Sequence, residues 1–412
     1  MKQTAMDSDV LFLPHEIIRN ILKRLPVKSL IRFQCVCKDW KNLIQNPSFI
    51  AEHLQQPTHQ NPSLLLECYG INIPLVGRLI LLDCGLQVRG VQNTPSNDSL
   101  CNARIVGSCN GLLCLEIYQF KQFPSSLSLW NPATTAVRHV PRIRTDISYF
   151  DYCVTGFGFS PIVNDYKIVR TFSVFYDGVT QVEVFSLNRG TWKAIDIGNL
   201  KGVRLKSETV TANGAIFWSE LNLGQKKEGE DNIDFHEDED YIEEAADKVD
   251  AIVSFDIAKE VFTMIPRPKL DYYVDVNLTV YENKLALLCV YEDDEIPYVV
   301  DLWVLNEGTC ASGQTWSWTK RYTASGQTWS WTERYTTSPF VFPLIPVTIW
   351  RNEIVYRPIS EEHDDKGRRR RVLSITNLTT NDVKRSVIPY SESIRSIYNY
   401  VESLVSVGNQ LH

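Results

Sequence analysis

Cysteines are the first places to look for chemistry in this chain, and two close pairs stand out. Cys35 and Cys37 lie in a stretch with helical periodicity, where a two-residue step turns their thiols about 200° apart. They therefore have no shared metal. Cys109 and Cys114 flank an Asn110-Gly111 turn between apolar runs, where thiols read as strand core rather than as nucleophiles. Ten cysteines and seven histidines include no C-x-x-C pair and no histidine pair at ligand spacing, so no metal or other cofactor is expected. Neither a G-x-S-x-G elbow nor a phosphate-binding G-x-x-x-x-G-K loop occurs. Gly156-Phe157-Gly158-Phe159 lacks the third glycine and the following helix of a dinucleotide loop. An oxidase of the copper type would need histidines and tyrosines converging on one site, and here the histidines are scattered.

The charged runs are no more catalytic. Residues 228–250 hold 12 carboxylates and one lysine, a composition that reads as a solvated loop or as a contact for a basic partner. Lys366 and Arg368 to Arg371 follow Glu361, Glu362, Asp364 and Asp365, as in a solvated hairpin tip, with nuclear import or an acidic partner as the alternative. The net charge of −7 argues against nucleic acid as a partner. No apolar run reaches the roughly 18 residues of a membrane span, and residues 1–10 carry no apolar signal segment. With no disulfide framework among the cysteines, the expected setting is the cytoplasm, the nucleus or both.

The N-terminal stretch around the first cysteine pair is helical in pattern. Ile17, Ile18, Ile21, Leu22 and Leu25 recur at i, i+4 and i+1, i+5, the pattern of an amphipathic helix with a wide apolar stripe. Pro14 suits its first position and Pro26 ends it. A second short helix is predicted over 28–35, and a third carries Val36, Trp40, Leu43 and Ile44 before Asn46-Pro47 stops it. Three helices in so few residues are close to the lower limit for a core, and they carry more apolar side chains than they can hide. Such an excess marks a partner surface.

These residues carry a resemblance. Leu13-Pro14-x-Glu16, Leu25-Pro26-Val27-Lys28-Ser29-Leu30, Arg32-Phe33-x-x-Val36-Cys37-Lys38-x-Trp40 and Asn46-Pro47-Ser48-Phe49 together resemble an F-box of the form common in plants. The resemblance implies docking on a Skp-family linker protein and, through it, on a cullin. It places Leu13, Pro14, Ile17, Ile21, Leu25, Pro26, Leu30, Val36, Cys37, Trp40 and Leu43 at matching motif positions, some as core and some as docking surface.

Beyond a loop at 55–63 the period changes to two. Hairpins recur with asparagine-containing turns at Asn110-Gly111, Asn164-Asp165, Asn213-Gly214, Glu282-Asn283 and Arg351-Asn352. The marker asparagines are 54, 49, 70 and 69 residues apart. A second hairpin follows each, with first strands such as Leu127 to Trp130 and Val182 to Phe185. The acidic run lengthens one interval. A tandem copy lengthens another: residues 311–323 and 324–336 differ only at Lys320 against Glu333. Each copy carries an alternating tryptophan pair, Trp316 and Trp318 or Trp329 and Trp331; at least one pair reads as blade packing, with a ligand cage as the alternative. Which copy sits in the sheet is open. A four-stranded unit of about 50 residues is a propeller blade. Five such units, with a sixth made from the strands at 64–90 and the C-terminal Tyr400 to Val405, give a closed ring of six and remove the free edges.

This half also resembles a known family. Gly107 to Leu115, Leu129-Trp130-Asn131-Pro132-Ala133-Thr134, Gly156 to Phe159, Asp165 to Val169 and the Tyr400-Val401-Glu402-Ser403-Leu404 end are similar to the kelch-like F-box-associated domain of plant F-box proteins, of the S-locus and immune-regulating kind. The expected fold is α+β, mainly β: a three-helix F-box at 8–54, a linker at 55–63 and a β-propeller at 64–407. The resemblance implies a non-catalytic subunit of a ubiquitin ligase, whose propeller binds an unidentified protein substrate. A propeller that binds protein or glycan outside any ligase is the alternative.

Overall fold

The computed structural model describes residues 13–56, 62–69, 77–95, 102–118, 124–142, 152–174, 178–220, 251–268, 275–291, 299–310, 313–325, 345–357, 362–363, 369–380, 382–388 and 393–408. Four helices come first: α1 (His15–Leu22), α2 (Val27–Phe33), α3 (Lys38–Gln45) and α4 (Pro47–Leu54). Three were expected. Asn46 does end α3, but its side chain accepts the N–H of Ser48 at 2.8 Å and so caps a further helix, with Pro47 at the first position where its missing N–H costs nothing.

The rest is a ring of six four-stranded antiparallel blades, the last with one extra short strand. β1 (Ser63–Tyr69), β2 (Gly77–Leu82) and β3 (Val88–Asn93) begin the first blade, and β25 (Ser393–Tyr400) completes it as the innermost strand. β4 (Asn102–Cys109), β5 (Leu112–Tyr118), β6 (Ser126–Asn131) and β7 (Ala136–His139) form the second. β8 (Tyr152–Ser160), β9 (Asp165–Val174), β10 (Gly178–Ser186) and β11 (Thr191–Ile195) form the third. The fourth is β12 (Leu205–Ala212), β13 (Ala215–Glu220), β14 (Ala251–Asp256) and β15 (Val261–Pro266). The fifth is β16 (Asp275–Tyr281), β17 (Lys284–Tyr291), β18 (Val299–Cys310) and β19 (Gly313–Ser325). β20 (Ile345–Trp350), β21 (Glu353–Arg357), β22 (Glu362–His363), β23 (Arg369–Asn377) and β24 (Val383–Ile388) make the sixth.

The inner strands β25, β4, β8, β12, β16 and β20 each pack against the next around the axis, and β20 meets β25, so the ring is closed. The closing strand pairs Ser63 with Tyr400 and Tyr69 with Ser393. The first blade is thus shared by the two ends of the chain, as expected. The closing segment, however, is residues 393–400. Residues 401–408 leave the sheet, because their carbonyls are taken by side chains of the second blade, as described below.

Each junction between blades holds one apolar cluster. Leu113, Leu115 and Trp130 of the second blade meet Leu65 and Leu79 of the first. Phe157, Ile168 and Phe185 meet Leu112 and Leu129 at the next junction, and the same arrangement recurs around the ring. A single blade has two apolar faces and cannot hide either alone, so stacking supplies the burial that drives folding. Gly156 and Gly158 serve this packing. A Cβ on Gly156 would collide with the Trp218 ring, and one on Gly158 would come within 2.8 Å of Ile257 and Thr211.

The turns sort the ring into two ends. In four blades the inner and second strands join at one end by tight turns with both central residues at positive φ (Asn110 and Gly111, Asn213 and Gly214, Glu282 and Asn283, Arg351 and Asn352), and in the third the turn spans 161–164 with Asn164 alone at positive φ. The third-to-fourth strand turns share that end. Connections from second to third strands, and from blade to blade, start and finish at the opposite end. The helices lead into β1 at Ser63, beside Tyr400, and so lie at the tight-turn end.

Candidate functional site

The helices have one core and one leftover face. Leu22, Val27, Leu30, Leu43, Ile44 and Phe49 are buried together, with Ile18, Leu25, Ile31, Phe33, Trp40 and Ile50 packed around them. Leu13, Ile17 and Ile21 point the other way and are 54%, 45% and 49% exposed; Val36, in the turn before α3, is 61% exposed. Ile17 and Ile21, spaced four apart, form a stripe along α1 about 100° from the inward stripe of Ile18 and Leu22, and Leu13 lies just ahead of the helix, before its N-cap Pro14. This helix is therefore apolar over a wider arc than its neighbours cover, and burying one such side chain is worth about 1.5–3 kcal/mol.

The residues matched by motif position fall into three groups. Leu13, Pro14, Ile17, Ile21, Pro26, Val36 and Cys37 are exposed. Leu25 and Trp40 are half-buried, Trp40 with its ring centroid 5.5 Å from that of Phe33. Leu30 (0% exposed) and Leu43 (7%) belong to the core and offer no surface. Cys35 and Cys37 are not helical: Cys35 lies in a turn, and Cys37 caps α3, its Sγ accepting the Trp40 N–H at 3.5 Å.

The polar side of α1 is clamped to α4. Arg19 Nη2 lies 2.6 Å from Glu52 Oε1, Lys23 Nζ lies 2.9 Å from Glu52 Oε2, and Arg19 also donates to Ser48 Oγ at 2.8 Å. Hydrogen bonds from Arg19 and Lys23 hold the Glu52 carboxyl down at about 2. His53 is buried with Nε2 2.9 Å from Leu25 O, and burial lowers its pKa. The stripe is thus mounted on a helix fixed from behind.

The helices are also pinned to the ring. Leu404 and Ala133 belong to the helical core cluster. Asn131 Nδ2 donates to Ser403 O at 3.0 Å and Val405 O at 2.8 Å, and Ser403 Oγ donates to Asn110 O at 2.6 Å. Val405 and Val407 pack into the junction of the second and third blades, and Arg138 donates to Val407 O at 3.3 Å. The Leu-Trp-Asn-Pro-Ala-Thr run earns its residue types here. Asn131 also accepts the N–H groups of Ala133 and Thr134, which folds the turn back towards the helices.

Cys109 and Cys114 sit in the apolar junction of the second and third blades. Burial pushes Cys109 up to about 12 and raises Cys114 further, as strand core requires. Among the described residues no group of three or more His, Cys, Asp or Glu could hold a metal ion, and no helix is long and apolar enough to cross a membrane. Trp316 and Trp318 pack in the junction of the fourth and fifth blades, with Trp318 Nε1 donating to Pro266 O at 2.9 Å. The acidic run at 228–250, Lys366, Arg368, Trp329 and Trp331 lie outside the described residues, as do the side chains of Arg369 to Arg371.

A four-helix module with an uncovered apolar stripe, mounted on a six-bladed ring, defines an F-box propeller protein. Residues 10–51 match the F-box domain, and residues 80–407 match the F-box associated β-propeller domain. The chain belongs to the F-box associated β-propeller family. An F-box/kelch-repeat protein of Arabidopsis thaliana is 25% identical over 322 residues, covering 75% of this chain and 78% of its own length. The F-box protein CPR1 of the same plant is 25% identical over 342 residues, covering 76% and 72%. A further Arabidopsis F-box protein is 27% identical over 325 residues, again covering 76% and 72%.

Proposed function

We propose that this chain is the substrate-recognition adaptor of a Skp–cullin–F-box ubiquitin ligase, working in the cytoplasm, the nucleus or both. The F-box docks on a Skp-family linker protein, which brings the cullin, and the ring holds a protein for ubiquitination. The adaptor does no covalent chemistry. It keeps the target near a charged conjugating enzyme, turning a bimolecular encounter into a local one at roughly millimolar effective concentration for a fitting span.

The observation that carries this reading is the pair Ile17 and Ile21, exposed among the described residues with Leu13 beside them, on a helix whose Ile18 and Leu22 face the core and whose Arg19 and Lys23 are clamped to Glu52. Pro14, Pro26, Val36 and Cys37 flank it as exposed neighbours in the docking surface. Leu25 and Trp40 stand at its edge, and Leu30 and Leu43 support it from the core. Apolar anchors in a rigid setting are what dominant contacts need. The target is assigned to the end of the ring away from the helices, where the second-to-third strand and inter-blade connections gather, because connections carry recognition while strands carry the scaffold.

The test is co-purification. Full-length chain should bring down a Skp-family linker together with cullin, and I17D/I21D should lose both while its β-sheet circular dichroism and unfolding midpoint stay unchanged. A double variant that still retains both proteins would overturn the reading.

A further inference from the structure

The fifth blade has two near-identical segments available for its outer strand. Residues 311–323 and 324–336 share every residue except Lys320 and Glu333, and Ser325, at the end of β19, recurs as Ser338 one copy later. The structure uses the first copy: β19 pairs with β18 from Cys310↔Gly313 to Val299↔Ser325. The second copy offers the same residue types at every position but one. Shifting it in would shorten the connection from β19 to β20 from residues 326–344 to residues 339–344, and the ring already closes another blade-to-blade link with residues 389–392 alone. The β18–β19 turn would lengthen from residues 311–312 to residues 311–325. Loop-closure entropy, with its (3/2) ln n dependence, favours the first copy by only about fourfold once both changes are counted.

Lys320 sits where the copies differ. Its Nζ lies 2.6 Å from Asp301 Oδ2, and it stands 5.8 Å over the Trp303 ring. Trp303 is its direct partner across the strands, and Asp301 is the diagonal neighbour on β18. The Asp301 side chain is only 6% exposed. Asp275 and Arg267 act on the same Cys289 thiol as Asp301 and Lys320, so two acidic and two basic groups share this region. A glutamate in place of Lys320, a position 40% exposed, would leave three acidic groups against one basic beside the nearly buried Asp301 carboxylate.

We infer that the Lys320–Asp301 ion pair selects which of the two copies enters the blade. The choice also decides where the thirteen surplus residues go. With the first copy in the sheet they join the link from Ser325 to Ile345, whose ends lie at the end of the ring away from the helices. With the second copy they would form a long hairpin at the helix end.

The charge swap K320E/E333K tests this, read by backbone hydrogen exchange on the full-length chain. The two copies remain distinguishable by mass. In the natural chain residues 315–323 exchange at least tenfold more slowly than residues 328–336. In the swap that ratio falls at least tenfold, and protection passes towards residues 328–336. A ratio within twofold of the natural one overturns the inference. Deleting residues 311–323 gives an independent check that does not rely on the swap folding in one register. The deletion presents Glu333 to Asp301, and adding E333K to it raises the unfolding midpoint towards that of the natural chain. Equal midpoints for the deletion with and without E333K overturn the inference as well.

Discussion

The Asn131 amide donates to the carbonyl of Val405 at 2.8 Å and to that of Ser403 at 3.0 Å, gripping the chain on both sides of Leu404. Leu404 is thereby committed to the helical core with Leu30 and Phe49. The C-terminal segment is a strap that joins F-box to ring, so the helices are held against the ring by packing through Leu404.

Loosening the strap should therefore loosen the helices. Asn131→Ala leaves the buried Ser403 carbonyl and the partly buried Val405 carbonyl without their donor and should cost about 1–3 kcal/mol. Leu404→Ala should cost about 2–5 kcal/mol through its cavity. Hydrogen exchange should quicken in α2 and α4 in both variants while β12–β20 keep their protection. Unchanged helix exchange in both would show that the strap carries no load.

Glu67 gives the ring a pH dependence of unusual sign. Its side chain is 2% exposed at the junction of the first and second blades, where Oε1 accepts the Ile105 N–H at 2.9 Å. Burial raises its pKa to about 7, against the pull of Ile105, Arg395 and Arg104. The folded chain thus holds a proton that the unfolded chain releases near 4.5, and stability falls as pH rises from 4.5 through 7. Glu67→Gln keeps the acceptor and removes the charge. It should flatten this slope and raise stability at pH 8 by up to about 3 kcal/mol, measured by urea unfolding at several pH values.

Glu52 has the opposite sign. With its pKa depressed to about 2 by Arg19 and Lys23, its stabilisation is present above 4.5 and is lost as pH falls towards 2. Glu52→Gln should unfold at a lower temperature than the natural chain at pH 7, and the two midpoints should converge as pH approaches 2. Its exposure to solvent keeps the effect small.

Much of this molecule was legible in its residue order. The recurring Asn-containing turns marked the blades, because a tight I′ turn needs positive φ at two adjacent residues and few residue types tolerate it. Five of the six blades could be placed on that signal, and the first, whose inner strand is β25, carries no such turn. The apolar excess of Ile17, Ile18, Ile21 and Leu22 was legible, but not which of them stay exposed: Ile18 and Leu22 turned inward, as did Leu30 and Leu43, and that partition depends on α4. Asn46-Pro47 reads equally as a stop or a start, and only its contact partners decide. Leu404 was invisible as a helix contact, since nothing local to Val401–Val405 says that a side chain from residue 131 will take its carbonyls. The choice between the tandem copies likewise rested on Asp301, on a different strand.

Gly156 was legible only as what it is not. It opens space for Trp218 of the next blade, whose ring a Cβ would strike, with Ile216 Cγ2 at 2.9 Å. Gly156→Ala should cost about 1–3 kcal/mol by overpacking that junction. Restoring stability with the added change Trp218→Phe would confirm the contact; equal losses in single and double variants would refute it.

The most direct test of the whole account is calorimetric titration of the full-length chain with a purified Skp-family linker protein. The account predicts binding with a negative heat-capacity change from apolar burial. It also predicts that I17D/I21D weakens the dissociation constant by about a hundredfold or more, since truncating central anchors costs about 2 kcal/mol or more each, with the unfolding midpoint unmoved. An unaltered dissociation constant in that double variant, or no binding by the natural chain, would contradict it.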